Sequence, residues 1–132
     1  MRIGEWRYRL INKSMSESFK NLDIWKDSIE LAETIYKISS KFPKSESFGL
    51  TSQIRRAVIS ISSNIAEGSH MRSKKDFSRF IVMARGSLSE VESQVILANR
   101  LEYIKNDDYK ELIEDINVLG AKMGGFLKYL QK

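Results

Sequence analysis

Residues 55–69, RRAVISISSNIAEGS, set two arginines at the head of a run of Ile, Val, Ala and Ser and close it on Asn, Glu and Gly. Apolar residues recurring at three and four predict one helix, extending over residues 47–67 and ending at Gly68, a suitable C-cap residue. On a wheel of about 100° per residue, Leu50, Ala57, Val58, Ile61 and Ile65 fall within about 60° of Ile54 and form a bundle-facing stripe. The opposite side holds Ser52, Arg55, Arg56, Ile59, Ser60, Ser63, Ala66 and Glu67, of which only Arg55, Arg56 and Glu67 carry charge. A solvated helix face normally carries more charge than this. Small and apolar residues there suit close approach by another backbone, so the helix is predicted to be covered by its own bundle and by a neighbouring copy. Gln53, Ser60, Asn64 and Glu67 run beside the apolar stripe and are expected to fix helix register by hydrogen bonding.

Helices are predicted on either side of this one. The first covers residues 23–41 with Trp25, Ile29, Ala32, Ile35, Tyr36, Ser39 and Phe42 on its stripe, and Pro43 disfavours helical geometry at Phe42. Ser73 with Asp76 three residues on resembles a capping box and opens a third helix to about Ile104. Within it, FIVMARGSLSEVESQVILAN at 80–99 has only Arg85, Glu90 and Glu92 charged and holds Gly86 in its interior. Glycine there costs about 1 kcal/mol against alanine, which points to packing or function. The fourth helix starts at a cap on Asn106 or Asp107 and carries Tyr109, Leu112, Ile116, Leu119, Met123, Phe126 and Leu130. Long helices joined by short connections predict an all-α, antiparallel up-down-up-down four-helix bundle. Residues 19–132 form that domain, and residues 1–18 are read as a mobile N-terminal arm, with Met15 as a second candidate start.

The chain has 132 residues, no cysteine and a formal net charge of +5. It offers no disulfide framework, no apolar run of membrane-spanning length and no signal-peptide pattern, which leads to a cytoplasmic expectation with no membrane partner. Residues 55–85 hold seven Lys and Arg against two acidic residues, whereas 86–132 hold six against eight. Arg72, Lys74, Lys75 and Arg79 crowd the turn and opening of the third helix, a pattern that grips phosphates without reading sequence. Arg55, Arg56 and Arg85 are assigned instead to interface or intrachain pairing. The oligomer interface is predicted at Ser52, Arg55, Arg56, Ile59, Ser63, Ala66, Arg85 and Gly86. No catalytic residue, metal site or cofactor is expected: His70 is the single histidine, metal-ligand spacings are missing, and GSLSEVE lacks the ending of a phosphate loop.

These segments resemble a known family. The stretch LDIWKDSIELAETIYKISSKFPKSESFGLTSQIRRAVISISSNIAEGS, followed by RSKKDFSRFIVMARGSLSEVESQVILANRLEYI, is similar to the four-helix bundle proteins of the 23S rRNA intervening-sequence family. Trp25, FPKSESFGLTSQIRRA, SNIAEG, KDFSRF and GSLSEVE carry the resemblance over about residues 19–130. It implies a bundle subunit of a ring-shaped homo-oligomer, with a pentamer favoured, often with a basic surface, and no known catalytic activity. Relatives serve as accessory subunits of reverse transcriptases in diversity-generating retroelements, which implies nucleic acid and a partner enzyme of that kind. The N-terminal arm and the SHM at 69–71 depart from the family pattern. Two functions are thus expected: a non-enzymatic, homo-oligomeric nucleic-acid-binding accessory factor, or an oligomeric protein-interaction scaffold with no nucleic-acid role.

Overall fold

The structure, a computed structural model, describes residues 19–132. The arm predicted at 1–18 lies outside the described residues. Four α-helices carry the rest: α1 (Asp23–Ser39), α2 (Leu50–Ser69), α3 (Lys74–Arg100) and α4 (Asn106–Leu130), with a 3-10 turn at Lys44–Glu46 between α1 and α2. No strand occurs among the described residues. Each helix packs on its sequence neighbour, most extensively α2 on α3, and α4 packs back on α1.

The core follows the 3.6-residue period of each helix. On α2, Ile54, Ala57, Val58, Ile61 and Ile65 are buried as the stripe predicts, with Leu50 at its edge. They meet Ile81, Ala84, Leu88, Val91 and Val95 of α3 and Leu112, Ile116, Leu119 and Met123 of α4 in one cluster. Each large side chain so enclosed contributes about 1.5–3 kcal/mol by leaving water.

On α1 the predicted stripe holds at Ile35, Ser39 and Phe42, which are buried, and is out of phase before them. The buried positions are Ile24, Ser28, Leu31, Ile35 and Ser39, whereas Trp25 and Ala32 flank the core and Tyr36 is exposed. Ser28, which the stripe leaves out, marks the shift, and Ser39, which it includes, is buried in the same way. Ser28 Oγ donates to the Trp25 carbonyl at 2.6 Å and Ser39 Oγ to the Tyr36 carbonyl at 3.3 Å, so each hydroxyl is satisfied within the helix and can sit in a core row. A periodicity that counts Trp25 and Tyr36 as core and Ser28 as surface is drawn one position off there.

The helix ends also differ from expectation. Gly68 is no C-cap: α2 continues to Ser69, and Gly68 is buried where a Cβ would stand 2.7 Å from Phe80 Cβ and 2.8 Å from Phe77 Cδ1. Here glycine serves close helix packing. No glycine among the described residues has positive φ; the left-handed residue is Glu102, at φ 66°, just beyond the C-terminus of α3. That helix therefore stops at Arg100, short of the predicted Ile104. Ser73 performs as predicted, its Oγ accepting from the Asp76 N–H at 3.0 Å. At α2 the N-terminal N–H of Leu50 is instead satisfied by Glu46 Oε1 at 3.1 Å. The other carboxylate oxygen of Glu46 accepts from the Tyr103 hydroxyl at 3.0 Å, and the Tyr103 ring packs on Phe42 with centroids 5.5 Å apart. The hydrogen bond to Glu46 first, then desolvation and the carboxylate charge, raise the Tyr103 phenol above its ordinary pKa.

Candidate nucleic-acid interface

The turn between α2 and α3 starts where helix-packing glycine gives way to a run of polar residues. Arg72, Lys74, Lys75 and Arg79 are all exposed there, and Ser73 caps α3 between them. Arg79 Nη1 lies 3.3 Å from Asp76 Oδ1, a surface pair one helical turn apart that leaves the guanidinium largely in solvent. Lys74 reaches across to α4, its Nζ 5.4 Å from the centroid of the Tyr129 ring. A cation over an aromatic face is attracted by the ring quadrupole.

Tyr129 belongs to an aromatic shelf at this end of α2. It stacks on Phe126 at 5.9 Å, and Phe126 meets Phe77 edge-on at 5.2 Å. Beside it opens a groove of about 510 Å³ lined by Asn21, Leu22, Asp23, Ile24, Lys122, Gly125, Phe126 and Tyr129. Lys122 donates to Asp27 Oδ2 at 2.8 Å, and this hydrogen bond, reinforced by the Asp27 charge, raises the pKa of the ammonium group. His70 lies edge-on to Phe19 at 5.8 Å. Periodicity marks Phe126 as a core residue and gives Tyr129 no role; nothing local in the sequence places residue 129 beside residue 74.

The residues predicted for an oligomer interface divide among four settings. Ser52, Arg56, Ile59, Ser63 and Gly86 are exposed, with Ile59 at 44% and nothing within 4 Å of a Cβ added at Gly86. Val82, 56% exposed, shares the Gly86 face at four residues' spacing and extends that charge-poor strip, though the sequence reading did not single it out. Ala66 is half-buried. Arg55 turns onto α1: its Nε donates to Ser39 Oγ at 2.8 Å, its Nη2 to the Tyr36 carbonyl at 3.2 Å, and its guanidinium lies 4.5 Å over the Tyr36 ring. Arg85 lines a groove of about 150 Å³ between α3 and α4 with Leu88, Ser89, Glu92, Ile116, Asn117 and Gly120.

Of the predicted polar line, Ser60 bonds across to α3 and Asn64 bonds back to Ser60 within α2, whereas Gln53 and Glu67 are exposed. Ser60 Oγ and Ser87 Oγ share a hydrogen bond of 2.8 Å, and Asn64 Nδ2 donates to Ser60 O at 2.8 Å and Ser60 Oγ at 3.1 Å. Among the described residues, no group of three or more His, Asp or Glu gathers as a metal site, and no helix is long and apolar enough to cross a membrane.

The described residues form four helices with one basic, aromatic end. The family model described as 23S rRNA-intervening sequence protein matches residues 20–125, most of the chain, and the protein belongs to that family. A crystal structure from Bacteroides thetaiotaomicron, described as a protein with unknown function from the S23 ribosomal protein family, is similar at a TM-score of 0.71 and 27% identity. The match covers 80% of this chain and 98% of that one. Among curated proteins, none matches.

Proposed function

We propose that the protein is a non-enzymatic nucleic-acid-binding accessory factor that works as a homo-oligomeric ring of antiparallel up-down-up-down bundles, with five copies favoured by the family resemblance, in the cytoplasm and alongside a partner enzyme such as a reverse transcriptase. The observation that carries the reading is the exposure of Arg72, Lys74, Lys75 and Arg79 at one turn. Clustered cations displace counterions from a phosphate backbone and bind it regardless of sequence. A ring would repeat the turn and raise avidity without new contacts. The charge-poor strip of Ile59, Val82 and Gly86 supports burial against another copy, because a solvated helix pair would carry more charge.

The test is a salt titration of oligonucleotide affinity. Wild type should lose affinity steeply with salt, and Lys74→Glu with Lys75→Glu should bind more weakly with a flatter slope while remaining assembled. Binding by the double variant equal to wild type at every salt would leave the scaffold reading in its place. Ile59→Glu should lower the mass seen in sedimentation while helical content persists; a single-chain mass for wild type at micromolar concentration would remove the assembly reading.

A further inference from the structure

We infer that the basic end takes unpaired nucleic-acid strands, with a base stacked on Tyr129 and the adjacent phosphates held by Lys74, Lys75 and Arg72. This rests on the nucleic-acid reading above and adds the class of strand. Tyr129 is 57% exposed although its ring belongs to an aromatic shelf, so much of an aromatic side chain stands in water one residue from the end of α4. Phe126 stacks on the ring and Phe77 meets Phe126 edge-on, contacts that restrain the ring before any ligand arrives. Lys74 covers the ring loosely at 5.4 Å from its centroid and is itself exposed, so the ammonium can move to a phosphate as a base takes its place.

Charge orders the two halves of the site. The cations lie on the α3 side, whereas the groove side carries Asp23 and the Lys122–Asp27 pair. A phosphate would be repelled by Asp23 and drawn to α3, and an uncharged base suits the groove side with its Leu22, Ile24, Phe126 and Tyr129 lining. Duplex bases are already stacked on each other and offer no free face, so this arrangement discriminates unpaired from paired strands. Exposed aromatic area is not enough by itself. Phe48, at 98% exposure, stands in the segment between the 3-10 turn and α2, away from this cluster, and serves as the control.

The experiment measures affinity of the full chain for three probes of equal phosphate number: oligothymidylate, the corresponding abasic deoxyribose-phosphate strand, and a duplex. Wild type should bind oligothymidylate more tightly than the other two. Tyr129→Ala should weaken oligothymidylate about 5- to 100-fold, the range expected for one stacked base, and leave the abasic strand unchanged. Tyr129→Trp should restore binding, and Phe48→Ala should have no effect. Equal affinity of wild type for all three probes, or full oligothymidylate binding by Tyr129→Ala, would overturn the stacking proposal and leave phosphate binding standing. Failure of wild type to bind any probe would overturn both. An oligouridylate arm reports whether ribose is tolerated at the same ring.

Discussion

Two tyrosines at the two ends of α2 show how differently a bundle can finish its ends. Near Leu50, Tyr103 donates its hydroxyl to Glu46, packs on Phe42, and shares the carboxylate that satisfies the first turn of α2. Near Ser69, Tyr129 has a lysine over its ring, a phenylalanine stacked with it and more than half its surface in water. The first tyrosine ties connections together. The second leaves an aromatic face available. Charge follows the same division: Lys41, Lys44, Arg100 and Lys105 at the Tyr103 end are balanced by Glu46, Glu102, Asp107 and Asp108, whereas at the Tyr129 end Arg72, Lys74, Lys75, Arg79 and Lys128 outnumber Asp23, Glu67 and Asp76. An end that is neutral and bonded serves stability, and one that is basic and open serves binding.

A change midway between the ends should ignore the distinction. Ile61 is fully enclosed, and Ile61→Ala should cost about 2–5 kcal/mol in denaturant melts, felt equally by probes at Tyr103 and Tyr129. Ser63→Ala, on the exposed side of the same helix, should cost far less. If the two losses were equal, the α2 stripe would be wrongly phased.

Glycine sharpens the contrast. Gly68→Ala would drive a methyl into Phe77 and Phe80 and should destabilise by about 1–3 kcal/mol, the usual result of overpacking, while disturbing the shelf that carries Tyr129. Gly86→Ala meets nothing within the chain and should stabilise the isolated bundle by about 1 kcal/mol through helix propensity. A loss at Gly86 accompanied by a fall in assembled mass would place a neighbouring copy against that face. Thermal melts of both variants above and below the assembly concentration separate these outcomes.

The smallest effect concerns pH. Because the folded Tyr103 pKa lies above its ordinary 10.0, the bond to Glu46 contributes stability that is fully present below about pH 10 and lost as pH rises through the folded value. The difference in denaturant midpoint between wild type and Tyr103→Phe should therefore be constant from neutral pH to about 9 and shrink beyond 10. A difference that persists unchanged at pH 11 would show that the hydroxyl bond is not its source.

Legibility in the sequence tracks the range of the interaction. The α2 stripe is readable because Ile54, Val58, Ile61 and Ile65 are apolar, close together and of one chemical kind. The Ser73 cap is readable because donor and acceptor lie three residues apart. The N-terminal part of the α1 stripe misleads because Ser28 is satisfied by its own helix and enters the core disguised as a surface residue. Gly68 misleads because the residue that ends helices also permits close packing, and only Phe77 and Phe80, supplied by the next helix, decide which. The basic cluster at 72–79 is local and visible. Its aromatic partner is separated from it by the whole of α3 and most of α4, and no periodicity within either helix joins Lys74 to Tyr129.

Hydrogen exchange with and without a bound oligonucleotide compares the two ends in one experiment. Backbone protection on binding should concentrate at residues 70–79 and 126–130 and be missing from 42–50 and 99–106. Protection centred on the Tyr103 end, or none at the Tyr129 end under saturating oligonucleotide, would contradict the assignment of the open end as the binding surface.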